Sequence, residues 1–235
     1  MSPQPARLLF VRPDTYGDLI LFEPVLRLVR ELLPRTRLAV LIREPYADVA
    51  PLIGGEGIEW LTTACNPYKE GPRDNRAAFD ALRATVCAFA PDWLVAACYE
   101  RTWLEAAVAT FLPESRQICL GTREFDPLTR ATLDAQLTIN WPALYPDKVL
   151  VDEGSRDWDK NIRLVYALTS EASARTGAIE KAPLLKRIAQ DLGIHPESKS
   201  GSPRWWPQAQ VPEDARGRAR EIFAELGLDP SAVAI

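Results

Sequence analysis

The stretch Leu8-Leu9-Phe10-Val11-Arg12-Pro13-Asp14-Thr15-Tyr16-Gly17-Asp18 gives the strongest indication of the fold. Its first four residues form an apolar run that predicts a buried strand, and a short loop follows. A helical pattern then begins at Leu19. In open parallel α/β sheets, ligands bind outside the carboxyl ends of the strands, and this loop is the first such position in the chain. Asp18 is therefore the first residue to consider for catalysis.

The composition is that of an ordinary globular protein. Apolar residues make up 47% and charged residues 26% of the 235 residues, which is enough for a packed core. The net charge of −4 argues against a general nucleic-acid binder, because such proteins carry a dense basic face. No apolar run approaches the roughly 20 residues that span a bilayer. The first residues lack the apolar core of a signal peptide, so we expect a cytoplasmic protein.

The cysteines and the only histidine indicate neither a zinc site nor a hydrolase. The cysteines are Cys65, Cys87, Cys98 and Cys119. Zinc sites and redox motifs need two thiols within about one turn of each other, and that spacing is absent from the sequence. We interpret these thiols as reduced and mostly buried. His195 has no Ser or Cys motif that would complete a catalytic triad.

Strand and helix patterns alternate along the first two-thirds of the chain. The predicted strands are Arg7–Arg12, Arg37–Ile42, Ile58–Leu61, Trp93–Ala97 and Gln117–Leu120, and the predicted helices are Leu19–Leu33, Asp74–Phe89 and Thr102–Leu112. On the first helix, apolar residues from Leu21 to Leu32 are predicted to form the buried face. Repeated strand–helix units predict an α/β fold, a Rossmann-like parallel sheet with helices on both faces.

The alternation weakens after Gly121. Arg123–Ala143 is interpreted as an irregular, partly helical segment. Further helices are predicted over Asp157–Leu168, Ala182–Leu192 and Pro212–Leu226, and residues 196–212 have the proline and serine content of a connector. Residues 232–235 have the pattern of the start of a buried strand, so we expect the chain to continue into a second domain.

Basic residues follow several of the predicted strands. Arg12 follows the first, Arg43 the second, Tyr99 and Arg101 the fourth, and Arg123 the fifth. Because the carboxyl ends of parallel strands meet at one edge, these arginines are expected to lie together, where they would attract carboxylate or phosphate groups. The alternative is that they are solvated, or paired with the acidic residues beside them. The residues alone leave both interpretations open.

Asp18 itself has two interpretations. An aspartate just before a helix is a favoured N-cap, and its side chain accepts a hydrogen bond from an amide of the first turn. An acid at the end of the first strand is also well placed to act as a general base. On the residues alone, capping is favoured. No nicotinamide fingerprint supports a different chemistry, since Trp60 stands where the third glycine after Gly55-x-Gly57 would be.

The run from Arg7 to Arg27 resembles the opening of glycosyltransferase family 9, which comprises the lipopolysaccharide heptosyltransferases and their relatives. The shared pattern is a strand, a basic residue, a loop that ends in Gly17-Asp18, and a helix with a proline near its start, here Pro24. Residues 158–165 resemble the family's helix before the domain crossover, with Trp158 where a histidine is usual. Residues 224–228 resemble the lead-in to the second domain.

The resemblance implies a GT-B architecture, in which two Rossmann-like domains face each other across a cleft. Residues 1–195 would then be an amino-terminal domain that binds the acceptor, and residues 196–212 a linker. Residues 213–235 would be the crossover helix and first strand of a truncated donor-binding domain. This chain is therefore expected to be the acceptor half of a longer enzyme and inactive by itself.

The resemblance also implies the reaction. An inverting glycosyltransferase would move a heptose-like sugar from a nucleotide-diphosphate sugar, such as ADP-heptose, to lipopolysaccharide or a related glycan. Asp18 would be the general base. The residues expected to contact an anionic glycolipid or glycan acceptor are Arg12, Thr15, Tyr16, Gly17, Arg43, Tyr99 and Arg101. We expect no metal and no cofactor besides the sugar-nucleotide co-substrate.

Two further expectations concern partners. A lipid-linked acceptor would bring the protein into peripheral contact with the inner face of the membrane. Nucleic acid is not expected as a partner. The other function that we carry forward is a non-catalytic glycan- or anion-binding Rossmann-like module, in which Asp18 only caps the helix.

Overall fold

A computed structural model of the chain describes residues 5–53, 56–121, 125, 127–135, 137–149, 151, 157–169 and 213–225. The strands in these ranges are β1 (Arg7–Val11), β2 (Arg37–Arg43), β3 (Ile58–Thr63), β4 (Trp93–Ala96), β5 (Arg116–Leu120) and β6 (Asp147–Val149). The helices are α1 (Tyr16–Leu32), α2 (Arg76–Phe89), α3 (Trp103–Phe111), α4 (Pro127–Asp134), α5 (Asp157–Thr169) and α6 (Glu213–Glu225). Short 3₁₀ turns lie at Glu44–Tyr46, Ala50–Leu52 and Trp141–Ala143.

The six strands form one parallel sheet in the order β3-β2-β1-β4-β5-β6. The chain adds β2 and β3 on one side of β1, then crosses to add β4, β5 and β6 on the other. This is the doubly wound arrangement, and its topological switch point lies between β1 and β4. The predicted Rossmann-like α/β fold is confirmed.

The central strand β1 separates two apolar cores. Its residues from Leu8 to Val11 are completely buried. Because side chains alternate along a strand, Leu8 and Phe10 pack with α1 and α5 on one face, while Leu9 and Val11 pack with α2 and α3 on the other. The sheet is therefore covered on both faces, as parallel sheets require.

Helix α1 begins at Tyr16, three residues before the predicted start. Thr15 is its N-cap, since the Thr15 hydroxyl accepts the amide of Asp18. The prediction that Asp18 is itself the N-cap is therefore wrong, and Asp18 is the third residue of the helix. The predicted buried face is wrong at Leu21, which is 46% exposed, whereas Glu23 is buried and pairs with Arg27 at 3.0 Å.

The segment after Gly121 is more regular than its sequence pattern suggests. Residues 127–134 form α4, and the short strand β6 pairs with β5. Only three residues make up β6, too few to show a periodicity. The helices predicted over Asp157–Leu168 and Pro212–Leu226 are confirmed as α5 and α6.

Several expectations fall outside the described residues. They are the helix at 182–192, the connector at 196–212, the strand at 232–235, and the positions of Arg123, Trp158 and His195 side chains. Among the helices that are described, none combines the length and the apolar character needed to cross a membrane.

Candidate functional site

A cavity of about 830 Å³ opens at the carboxyl edge of the sheet, beyond the ends of β1 and β4. Its wall is formed by the loops that follow β1, β3 and β4, by the amino-terminal ends of α1 and α3, and by parts of α4 and α5. The lining residues that carry charge are Arg12, Asp14, Asp18, Lys69, Glu70, Asp74, Glu100, Arg101 and Lys160. This is the position at which doubly wound sheets bind their ligands.

Asp18 lines this cavity and is half-buried. Its Oδ2 atom accepts the Thr15 hydroxyl at 2.6 Å and the Thr15 backbone N–H at 3.2 Å. The Asp18 amide donates to Thr15 Oγ1 at 3.4 Å, which completes a capping box at the start of α1. Asp18 thus takes part in capping the helix and is at the same time one of the residues that line the cavity.

Two buried arginines join the loops at the carboxyl edge, and each is only 9% exposed. Arg12, after β1, donates from Nη1 to the carbonyl of Ala97 at 2.7 Å, just beyond β4. Arg101, after β4, donates from Nη1 to the carbonyl of Leu120 at 3.0 Å, in β5. Each guanidinium therefore connects one loop to the end of the next strand, and both also line the cavity.

Arg12 has further contacts that fix the loop after β1. Its Nη2 donates to the carbonyl of Asp18 at 3.1 Å, and its Nη1 lies 3.3 Å from Asp14 Oδ2. The guanidinium also lies over the ring of Phe22, 4.9 Å from the centroid. The alternative that these arginines pair with nearby acids is thus confirmed for Arg12.

The cavity brings together Asp18, Arg12, Tyr99 and Arg101 of the predicted site residues. Thr15, Tyr16, Gly17 and Arg43 are not among the residues that line it. Arg43 donates to the carbonyl of Asp14 at 3.1 Å and to the hydroxyl of Tyr46, and it lies over the rings of Tyr46 and Tyr68.

Tyr16 is on the same side of the molecule as Arg43. Its ring packs against that of Tyr46 at an angle of 58° with centroids 4.2 Å apart, and its hydroxyl donates to the carbonyl of Pro45 at 2.6 Å. Arg43 and Tyr16 therefore stabilise the loop after β1 and the start of α1 through contacts that lie outside the cavity lining.

Sequence reasoning did not identify the cavity residues of the loop after β3 or of α5. Lys69, Glu70 and Asp74 lie on that loop, and Lys160 and Asn161 lie on α5. The resemblance includes Lys160 and Asn161 only as part of the helix at residues 158–165, and no pattern indicates that any of the five residues contacts a ligand, because they reach the cavity only through tertiary packing. The Lys160 Nζ atom lies 4.8 Å from the centroid of the Tyr99 ring, and Asn161 donates to the carbonyl of Leu21 at 3.2 Å.

The charges of the lining are mixed. Four of the nine charged lining residues are cationic and five are acidic. Carboxylates accept hydrogen bonds from hydroxyl groups, and arginine and lysine bind anionic groups. The cavity thus suits a ligand with hydroxyl groups as well as a ligand with anionic groups.

A second capping box lies across the switch point, at the start of α3. Glu105 accepts the backbone N–H of Thr102 at 2.8 Å and its hydroxyl at 2.6 Å. Unlike Asp18, Glu105 is fully buried, and this burial raises the pKa of its carboxyl group to about 6. Its main-chain carbonyl accepts the hydroxyl of Tyr145 at 2.9 Å. Through its two bonds from Thr102, Glu105 therefore fixes the end of the loop after β4.

Cys98 lies on the same loop and is also buried. Burial raises the pKa of its thiol well above the ordinary value. A thiol that resists ionisation is a poor nucleophile, so its position beside the cavity does not indicate thiol catalysis. Among the described residues, no group of three or more His, Cys, Asp or Glu side chains is arranged to hold a metal ion.

No protein-family model matches the sequence, and no curated protein is similar to it in sequence. Solved structures are similar to it in fold. One is a glycosyltransferase of family 9 from Veillonella parvula, with a TM-score of 0.51 and 17% identity over 97% of this chain and 51% of that one. The fold is like that of a family 9 glycosyltransferase.

Two Escherichia coli structures show weaker similarity. ADP-heptose lipopolysaccharide heptosyltransferase II has a TM-score of 0.49 and 16% identity, over 95% of this chain and 51% of that one. A heptosyltransferase with ADP has a TM-score of 0.47 and 14% identity, over 94% of this chain and 66% of that one. The chain thus spans about half the length of the first two of these proteins.

Proposed function

We propose that this chain is the acceptor-binding part of an inverting glycosyltransferase with GT-B architecture. The main support is that Asp18, a half-buried acidic residue, lines a cavity at the switch point of a fold like that of family 9. In this proposal, residues 1–195 form the acceptor domain, 196–212 the linker, and 213–235 the start of a donor-binding domain.

The reaction that we propose is a direct displacement. Asp18 takes the proton of an acceptor hydroxyl, and that oxygen attacks the anomeric carbon of the donor sugar from the face opposite the leaving group. The bond from the anomeric carbon to the diphosphate breaks, and its electron pair leaves with the nucleoside diphosphate. The anomeric configuration is therefore inverted. The protein contributes a base that is already held in place, which lowers the entropic cost of reaching the transition state.

The acceptor in this proposal is an anionic glycan or glycolipid. Arg12, Arg101 and Lys160 would attract its anionic groups, while Tyr99 would pack against a sugar ring. Thr15, Tyr16, Gly17 and Arg43 lie outside the cavity lining, so we assign them to supporting the loop after β1 and the start of α1.

The donor and the cellular setting are also proposals. A heptose-like sugar carried by ADP would bind to the second domain, without a metal ion. If the acceptor is lipopolysaccharide or its precursor, the protein works in the cytoplasm, in peripheral contact with the inner face of the membrane.

The proposal is tested by Asp18→Asn in the full-length protein. Transfer from ADP-heptose to deacylated lipopolysaccharide core is measured by ADP release and by the mass of the product. We expect a loss of about 10²- to 10⁴-fold in kcat, the usual contribution of a general base. Asp80→Asn is the matched control, because Asp80 is an exposed acid on α2 that pairs with Arg76. Near-normal turnover of Asp18→Asn would contradict the proposal.

The same assay separates an enzyme from a binding module. A module would bind the deacylated core without releasing ADP, and Asp18→Asn would not change that binding. An enzyme would release ADP in the wild type and not in the variant.

A further inference from the structure

We infer, on the basis of the proposed function, that Thr15 is a positioning residue: it holds Oδ2 of Asp18, so that Oδ1 is the oxygen that takes the acceptor proton. Both hydrogen bonds from Thr15 to the Asp18 side chain end on Oδ2, at 2.6 Å from the hydroxyl and 3.2 Å from the backbone N–H. No donor in the described part of the chain is bonded to Oδ1. The two carboxylate oxygens are therefore not equivalent.

The backbone of Asp18 also has hydrogen-bond partners. Its amide donates to Thr15 Oγ1 at 3.4 Å, and its carbonyl accepts Nη2 of Arg12 at 3.1 Å. Asp18 is thus fixed at its amide, at its carbonyl and at Oδ2. Catalytic groups are effective when neighbouring contacts lock their rotamers, and a misplacement of about 1 Å can reduce the rate by about 100-fold.

Thr15 is exposed and does not line the cavity, so it acts on the acceptor only through Asp18. Its hydroxyl proton is already directed at Oδ2, and its oxygen accepts the Asp18 amide. Both capacities of the hydroxyl are therefore used within the capping box. This assignment differs from the direct contact with the acceptor that the resemblance implies.

The capping box around Glu105 shows that the motif alone does not make a base. Thr102 bonds to Glu105 in the same way, but Glu105 is completely buried and is not among the residues that line the cavity. Of these two boxes, only the one at the start of α1 combines a fixed carboxylate with a residue that lines the cavity.

The inference is tested with Thr15→Val and Thr15→Ser in the full-length protein. Valine has nearly the shape of threonine but no hydroxyl, whereas serine keeps the hydroxyl. With ADP-heptose and deacylated lipopolysaccharide core as probes, we expect Thr15→Val to lower kcat by about 10- to 100-fold and to leave the KM for the acceptor within about two-fold. Thr15→Ser should restore kcat to within a few-fold of the wild type.

Asn75→Ala is the control for the loss of a helix cap. Asn75 caps α2 through a 3.1 Å bond from the amide of Ala78, and it is not among the residues that line the cavity. Its removal should lower the melting temperature as much as Thr15→Val does, without the loss of kcat.

The outcomes distinguish the two proposals. If Asp18→Asn abolishes transfer but Thr15→Val keeps full kcat, or if Thr15→Ser is as slow as Thr15→Val, the positioning role is overturned and the function stands. If Asp18→Asn turns over normally, the function itself is wrong. High-resolution crystal structures give a readout that does not depend on turnover. We expect Asp18 to leave its rotamer in Thr15→Val and keep it in Thr15→Ser, and an unchanged rotamer in Thr15→Val would overturn the inference.

Discussion

The indole N–H of Trp103 donates a hydrogen bond of 2.8 Å to the main-chain carbonyl of Glu70. Trp103 begins α3, which follows β4, whereas Glu70 lies on the loop after the edge strand β3. The loop therefore extends past β2 and β1 to reach the other side of the switch point. Arg73 attaches the same loop to the carbonyl of Ala135 at 2.7 Å. The wall of the cavity on this side thus depends on a few bonds between distant parts of the chain.

We predict that Trp103→Phe loosens this loop. The ring of Trp103 is buried near Phe79, so phenylalanine keeps an aromatic ring at this position but removes the donor and part of the apolar contact. The loss of the bond should cost about 1 kcal/mol, and hydrogen exchange of the amides of residues 66–74 should become faster. Trp141→Phe is the control, because Trp141 donates an equally short bond to Asp134. Unchanged exchange in Trp103→Phe would show that the bond does not hold the loop.

We predict that Arg12→Lys destabilises the fold by about 1–3 kcal/mol, measured by urea unfolding. A lysine ammonium has one nitrogen and cannot reach the carbonyls of both Ala97 and Asp18, as the two Nη atoms of Arg12 do. Arg76→Lys is the control, since the pair between Arg76 and Asp80 is more than half exposed and should contribute less than about 1 kcal/mol. Equal losses in the two variants would mean that burial of Arg12 is unimportant.

Glu105 predicts a specific pH dependence of stability. Burial raises the pKa of Glu105 from 4.5 to about 6 in the folded protein, so the folded state binds a proton more tightly than the unfolded state. This contribution to stability is complete below about pH 4.5 and is lost as the pH rises through about 6. The shift corresponds to about 2 kcal/mol.

Glu105→Gln isolates this contribution, because glutamine can still accept both bonds from Thr102. The difference in the free energy of unfolding between variant and wild type should move in favour of the variant by about 2 kcal/mol between pH 4.5 and pH 7. Urea titrations at four or five pH values would measure it. A difference that stays constant with pH would mean that Glu105 titrates normally.

We predict that Gly121→Ala destabilises the protein and displaces Tyr99. Gly121 has a φ of +97°, and a Cβ atom there would lie 3.0 Å from the Tyr99 ring and 3.3 Å from the Tyr99 carbonyl. Strain in this backbone region costs about 1–3 kcal/mol. In Gly217→Ala, the added Cβ meets nothing within 4 Å, and helix α6 should gain up to about 1 kcal/mol. Thermal unfolding distinguishes the two, and a stable Gly121→Ala would contradict the steric argument.

The sequence predicted the four central strands, β1, β2, β4 and β5, because they contain apolar runs that are buried on both faces, and the run from Leu8 to Val11 is the clearest. The sequence also contains the Thr-x-x-Asp/Glu pattern of a capping box at two positions. Thr15 and Asp18, and likewise Thr102 and Glu105, have the spacing of capping boxes, and this spacing places the start of α1 at Tyr16.

The rest of the site depends on tertiary structure. Lys160 lies far along the chain from Arg12, and only the packing of α5 against α1 brings it to the cavity. Glu23 shows the same limit, because a charged residue on a helix predicts exposure until its buried pairing with Arg27 is known. Periodicity identifies the face of an element but not the neighbour that covers it.

Because Arg12 bonds to Ala97 and Arg101 bonds to Leu120, the loops after β1 and β4 lose conformational entropy when the protein folds. Ligand binding therefore does not incur the entropy cost of ordering these loops again. More of the contact energy between ligand and wall is then available as affinity.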